Sequence, residues 1–470
     1  MLEAVDSFLE SFSSFLWGYI LLFGLLGTHL YLTCLLRVPQ RHIFTAMRYY
    51  FSRGKQSSGN ISQFSSLMVA LAANVGTGNI IGVSTALCTG GPGAIFWLWV
   101  TAILGGASAY VESTLAQIFK RKDSDGSSYG GPSYYMETAL GQRWLGVIFA
   151  VIIILTYAVG YNMLASYNLQ SCFAAFSFYG TKTPLVIGLI LAVLFGIIVF
   201  GGAKRLTKVT GVMVPVMGVF FILISLLVMV LNAKNLGAMF GTIFADAFNF
   251  KAIFGGFFGS CVMWGIKRGL YSNEAGMGSA PNAAATADVS HPAKQGLVQM
   301  LSVFIDSLLI CTATAFMCLS TGVVPTLEQS GAPYVQAAMA ETLGAFGPIF
   351  IAVSLSLFAF TTLIGNYYYC EGCLRFILKR KPSQGLLTVF RIVASVLVLV
   401  GAMLSAGIVW DTADMLQGLM VIINIPVILI LTKPALAALE DYMAQRKAGK
   451  EPKYNAKACG ISQDTEFWND

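Results

Sequence analysis

Hydrophobic stretches of about 20 residues recur along the whole chain, each long enough to cross the roughly 30 Å hydrocarbon core of a bilayer. Eleven are expected, at approximately 14–36, 62–87, 92–119, 144–172, 184–200, 209–232, 252–272, 295–321, 346–374, 386–407 and 412–432. Lipid cannot satisfy an open backbone, so each span must be a helix. Charged residues are only 11% of the 470, against about 25% in an ordinary soluble domain. A soluble enzyme, a disordered chain and a disulfide-stapled secreted scaffold are thereby excluded. The nine cysteines agree, because eight lie in or beside apolar runs and Cys370–Cys373 is one CxxC without a second pair. Glu3, Asp6 and Glu10 stand where a signal peptide would be basic.

The loops give a direction. With the N-terminus outside and eleven spans, 26 of the 29 Lys and Arg residues fall on the cytoplasmic side, leaving Lys182, Lys234 and Lys251 outside. The net charge of +7 then reflects topology and not nucleic-acid binding. The tail after Lys433 reads as a solvated cytoplasmic end. Segments 38–60 and 330–345 read as interfacial amphipathic stretches.

Two spans carry mid-depth interruptions. In the second, Ala73-Asn74-Val75-Gly76-Thr77-Gly78-Asn79 places two glycines and two asparagines inside an apolar helix. In the seventh, Gly255-Gly256-Phe257-Phe258-Gly259-Ser260-Cys261-Val262-Met263-Trp264-Gly265 is again glycine-rich. Glycine costs about 1 kcal/mol relative to alanine in a helix, so such runs mark either tight packing or unwinding. The two lie five spans apart and therefore run in opposite directions, as in a transporter of two inverted five-helix halves. Carbonyls ending near Ala72–Val75 suit a small cation. Amides opening near Gly76–Asn79 suit a carboxylate, and carbonyls near Gly259–Cys261 suit an ammonium. Together they describe a pocket for an amino-acid zwitterion.

These residues also carry a resemblance. Ala73–Ile80 with Gly90-Gly91-Pro92-Gly93-Ala94-Ile95-Phe96-Trp97, Tyr129-Gly130-Gly131-Pro132, Arg268–Gly276 and Phe358–Tyr368 resemble the alanine or glycine:cation symporter family from about 60 to 430. The resemblance implies a leucine-transporter-like, all-α polytopic fold: a 5+5 inverted repeat preceded by one additional transmembrane helix. The expected division is 1–60 for the N-terminus, first helix and interfacial segment, 61–232 and 233–432 for the two repeats, and 433–470 for the tail. It implies a sodium-coupled importer of small neutral amino acids in the cell membrane. The same fold carrying glutamine or serine, or coupled to protons, is the alternative. No enzyme chemistry, cofactor, nucleic acid or obligate protein partner is expected.

For sodium the resemblance implies Thr361, Thr362 and the carbonyls of Phe358, Ala72 and Val75. The hydroxyls alone could equally bond back to the preceding turn. For the substrate it agrees with the dipole reading on Thr77, Gly78 and Asn79 at the carboxylate. It places Gly259, Ser260, Trp264 and Gly265 around the amine and side chain, with Trp264 either a pocket wall or an ordinary buried indole. Asn366 lies one turn beyond Thr362. Asn162, Ser166 and Gln170 share a helical stripe, with Gln170 the candidate ligand. Glu112 and Asp306 are acids within spans and candidates for proton coupling, although Glu112 reads more simply as a structural carboxylate. Lys267, Arg268 and Glu274 are expected at the inner end of the seventh span, where ion pairs could close a cytoplasmic gate.

Overall fold

The computed structural model describes residues 2–51, 62–124, 126–249 and 260–469. Apart from a two-stranded ribbon pairing Arg121–Lys122 with Ser128–Tyr129, these residues form helices and their connections. Among the described residues eight helices are long and apolar enough to cross a bilayer: Ser7–Leu35, Ala94–Ile118, Arg143–Ala175, Gly202–Leu231, Pro292–Ser320, Phe346–Leu378, Gln384–Met403 and Ala406–Ile430. A ninth span is a bent pair, Gln63–Asn74 and Gly78–Gly90, which meet at 50°. Thr183–Val199 and Cys261–Asn273 are shorter.

Local chemistry sets many boundaries. The Ser62 and Ser260 hydroxyls accept from the Ser65 and Met263 amides, capping the helices that follow. Gly91, at φ +82°, ends Gly78–Gly90 in a conformation that a side chain would strain, and Pro92 follows it. Helices with apolar residues all round divide by what they face. On Thr183–Val199, Val186, Leu189, Ile190, Val193, Leu194 and Ile197 are exposed, whereas Gly188, Leu191, Ala192 and Phe195 are buried against Gln384–Met403. An apolar outer face of that kind suits lipid. The interior is formed by Gln63–Asn74, Ala94–Ile118, Cys261–Asn273, Pro292–Val303 and Phe346–Leu378, which pack on one another.

The C-terminal segment is packed, not solvated. After Thr432–Lys447, the Tyr454 amide donates to the Ser290 carbonyl at 3.1 Å. Trp468 Nε1 donates to the Gln117 carbonyl at 2.8 Å. Lys120 lies over the rings of Phe467 and Trp468, Glu466 pairs with Arg121, and Glu451 pairs with Lys294. Tyr454, Ile461 and Trp468 are buried. The tail's aromatic residues supply the apolar area that its basic composition conceals.

Candidate functional site

The first interruption falls at Val75–Thr77, where Val75 leaves helical geometry (φ −76°, ψ +83°). It is held open by its own side chains. Asn79 Oδ1 accepts from the Gly76 amide at 2.7 Å. A Cβ on Gly76 would lie 2.0 Å from Thr362 Oγ1, and one on Gly365 would lie 2.6 Å from the Ala73 amide nitrogen. Glycine at both positions lets Phe346–Leu378 approach the break closely, through the Thr362 side chain at Gly76 and the Ala73 backbone at Gly365. Thr361 and Thr362 both donate to the Phe358 carbonyl, at 3.0 and 2.8 Å. Ala72, Val75, Phe358, Thr361 and Thr362, the expected sodium ligands, thus lie on the two helices that make this contact.

Among the described residues a second interruption follows Asn273, and Cys261–Gly265 holds none. Residues 250–259, Gly259 among them, lie outside the described residues, and Cys261–Asn273 is continuous helix. The chain leaves helical geometry at Glu274 (φ +57°), then passes through Gly276 (φ +92°) and Gly278 (φ +80°) to the short turn Pro281–Ala284. Cys261–Asn273 runs antiparallel to Gly78–Gly90: Trp264 packs on Gly90, Arg268 on Gly82, and Tyr271 and Ser272 on Gly78. Asn74 Nδ2 donates to the Asn273 carbonyl at 3.0 Å, so both breaks lie at one depth. Ser260 and Trp264 are consequently about 20 Å and 13 Å along the helix from the break, at 1.5 Å per residue. Gly265 packs on the Ala94 carbonyl, at the turn following Gly90.

The expected cytoplasmic gate is corrected in the same way. Arg268 and Lys267 pair with Asp414, not with Glu274. They face the end of the bundle that holds the Gly90–Gly93 turn, the extracellular end in the expected orientation. Moving them leaves 24 of 29 cations inside, still a one-sided distribution. Glu274 sits in the second break, where its carboxylate accepts from Ser279 Oγ at 2.6 Å. Glu112 accepts from Asn424 Nδ2, and Asn424 also donates to the Gly276 carbonyl at 3.0 Å. Glu112 thus links Ala94–Ile118 to this break through Asn424.

Of the remaining candidates, Thr77 Oγ1 accepts from Asn168 Nδ2 at 3.1 Å, and Gly78 lies against Tyr271. Asn79 is fully engaged, since its Nδ2 donates to Asp306 Oδ1 at 2.7 Å. Asn366 donates to Asn162 Oδ1 at 3.0 Å. Gln170 instead accepts from Tyr179 at 2.7 Å, beyond the Asn168 contact with the break. Among the described residues, Asn74 Oδ1, Asn162 Nδ2, Ser166 Oγ, Asn168 Oδ1 and Asn366 Oδ1 are buried without a hydrogen-bond partner. Buried polar atoms are nearly always paired, so these have bonding capacity to spare for a polar guest. Sequence reading missed Asn168, Tyr271, Ser272, Asn273 and Asp414. The short polar run Ser272-Asn273 before a glycine pair was the available signal.

Two facing helix breaks inside a bundle of apolar spans define a multi-pass membrane transporter. The sequence profile described as the sodium:alanine symporter family matches residues 2–456. The chain belongs to that family, whose members are symporters and not enzymes. It is 41% identical to the amino-acid carrier protein AlsT of Bacillus subtilis (strain 168), with 99% of each chain covered. It is 42% identical to the probable sodium/glutamine symporter GlnT of the same organism, covering 96% of this chain and 94% of that one. Among solved structures it is similar to a mutant of the manganese transporter of Eremococcus coleocola (TM-score 0.50, 15% identity, 85% of each chain covered), a likeness of fold alone.

Proposed function

We propose that this protein imports a small neutral amino acid, alanine or glycine, together with sodium by alternating access. The observation that carries this reading is the pair of breaks at one depth, ringed by buried polar atoms that lack partners. The amides of Thr77 and Gly78 open a half-helix and receive the substrate carboxylate. The carbonyls of Tyr271 and Ser272 end the facing half-helix and receive the ammonium. Asn366, Ser166 and Asn168 complete the polar lining. Sodium, a hard cation, is met by the carbonyls of Ala72, Val75 and Phe358 and the hydroxyls of Thr361 and Thr362. Binding there would turn both hydroxyls from the Phe358 carbonyl toward the ion.

In this reading eleven spans form two inverted five-helix repeats (61–232 and 233–432) after one additional helix. The N-terminus is outside, the tail is cytoplasmic, and Arg268–Asp414 closes the extracellular side. Family membership supports sodium coupling. The GlnT relative makes glutamine the specific alternative. Uptake into proteoliposomes under imposed sodium or pH gradients, with competition by a panel of amino acids, tests all of this. The expected result is saturable alanine or glycine uptake that collapses without a sodium gradient. Undiminished uptake without sodium rejects sodium coupling, and selective competition by glutamine replaces the substrate. Thr362→Ala should raise the sodium requirement while leaving the fold intact.

A further inference from the structure

Asp306 is the carboxylate that reaches both breaks at once. It stands at the midpoint of Pro292–Ser320, in the π-helical turn Phe304–Cys311, and is fully buried. Such turns often accompany functional sites. Its Oδ1 accepts from Asn79 Nδ2 at 2.7 Å, and Asn79 in turn holds the Gly76 amide of the first break. Its Oδ2 accepts from Ser272 Oγ at 2.8 Å, at the edge of the second break, and from Ser307 Oγ at 3.0 Å. Asn273 Nδ2 donates to Ser307 Oγ at 3.1 Å, closing the chain of bonds.

Every one of these donors is neutral. Among the described residues, no Lys or Arg lies within ion-pair distance of Asp306, whereas Asp123 meets Arg375 and Asp414 meets Arg268 and Lys267. The other titratable groups facing it are the Cys311 thiol, which touches Asn79 and Ser272, and Glu274 across the break. Neither brings positive charge. Glu112 and Glu274 differ because their bonds reach only the second break. A bare carboxylate at mid-membrane is strongly unfavourable, and dipoles alone do not cancel its charge. The arrangement instead fits a carboxyl group that alternates between an empty state and one neutralised by a small cation.

We infer that Asp306 is a second coupling site, distinct from the Thr361–Thr362 site, which takes one monovalent cation per transport cycle. The inference rests on the amino-acid symport proposed above. The cation is a proton or a second sodium ion, whose shared chemistry is neutralisation of Asp306. Filling the site would loosen or tighten the Asn79 and Ser272 bonds together, so that both breaks sense the same event.

The test is the charge moved per amino acid, read from reversal potentials in proteoliposomes of wild type and Asp306→Asn. The amide keeps the Asn79 bond through its oxygen, and the two serine hydroxyls can turn to accept from its nitrogen. Wild type is expected to move about two charges per zwitterion and Asp306→Asn about one. If the second ion is sodium, the steep sodium dependence of wild type becomes hyperbolic in the variant. If it is a proton, substrate-driven acidification of the lumen, followed with a trapped pH dye, is lost in the variant. One charge per substrate in wild type, or an unchanged ratio in Asp306→Asn, overturns the inference while sodium-driven uptake still stands. Absence of any sodium-driven amino-acid uptake by wild type overturns the reading beneath it as well. Should Asp306→Asn not fold, Ser272→Ala removes one donor. It is expected to shift half-saturation for the second cation about tenfold, the scale of one charge-assisted hydrogen bond. No shift overturns the inference.

Discussion

Arg268 and Asp414 are joined by two parallel hydrogen bonds, Nη1 to Oδ1 at 3.0 Å and Nη2 to Oδ2 at 3.1 Å, with both side chains almost fully buried. The guanidinium lies between Trp264 and Trp410, at 5.0 and 4.1 Å from the ring centroids. Lys267 adds a second cation at 2.7 Å from Oδ2. The Asp414 carboxylate therefore meets two buried cations, with Asp411 a further negative charge acting on Lys267. Removing Asp414 unpairs both, whereas removing Lys267 leaves a balanced pair. Asp414→Asn is expected to cost about 3–5 kcal/mol, and Lys267→Met to be near neutral or stabilising. Thermal unfolding in detergent measures both, and equal effects would contradict the charge arithmetic.

A methyl group at Gly76 would collide with Thr362 Oγ1, whereas one at Gly24 meets nothing within 4 Å. Gly76→Ala should therefore cost about 1–3 kcal/mol through overpacking, while Gly24→Ala stays near neutral. The first change also pushes Thr362 away from the break. Sodium-dependent uptake is expected to fall severely in Gly76→Ala and to stay near wild type in Gly24→Ala. Comparable activity in the two would detach the contact from function.

His291 precedes Pro292–Ser320 and caps it, because its Nδ1 accepts from the Ala293 amide at 3.1 Å. Its Nε2 therefore carries the proton and donates to Asp441 at 3.0 Å. Burial pushes the imidazole down from 6.5 to about 4 despite that carboxylate. The unfolded chain binds the proton more readily, so the stability from this group is complete above about pH 6.5. It is lost as pH falls toward 4. Melting temperature followed from pH 7 to 4 should decline through that window, and His291→Asn, which keeps a cap acceptor, should flatten the decline.

Trp468 is seated on the Gln117 carbonyl and beneath Lys120. Trp468→Ala should remove about 3 kcal/mol, at the lower end for a buried aromatic. The lysine-rich segment Lys447–Lys457 should then become a rapid trypsin target. Unchanged protease resistance would show that the tail is held without this indole.

The all-helical, membrane-spanning class was readable because lipid imposes one rule on every span, and the first break was readable because Gly76 and Gly78 interrupt an otherwise apolar helix. The break at Glu274–Gly278 was not legible for a physical reason. The glycine-rich run through Gly265 outweighs it in the sequence, and Lys267, Arg268 and Glu274 look like charges that belong in water. In the folded chain Asp414 pairs with the first two and Ser279 bonds the third, so the charged residues are interior. Asp414 lies 146 residues from Arg268, too far for any local pattern to pair them. The tail misled similarly, because its cations are frequent but its few aromatic side chains decide where it lies.

The antiparallel packing of Cys261–Asn273 along Gly78–Gly90 has a mechanical consequence. Stitched together by Arg268, Trp264 and Tyr271 resting on bare glycines, the two half-helices form one stiff panel. Each ends in a break, and the breaks sit side by side, like two pins on one door. Rotation about the line through them would swing the panel as a unit. Arg268 rides on that panel while its latch, Asp414, belongs to Ala406–Ile430, so any such swing must part the pair, and the substrate and ion sites proposed above would lie at the pivot.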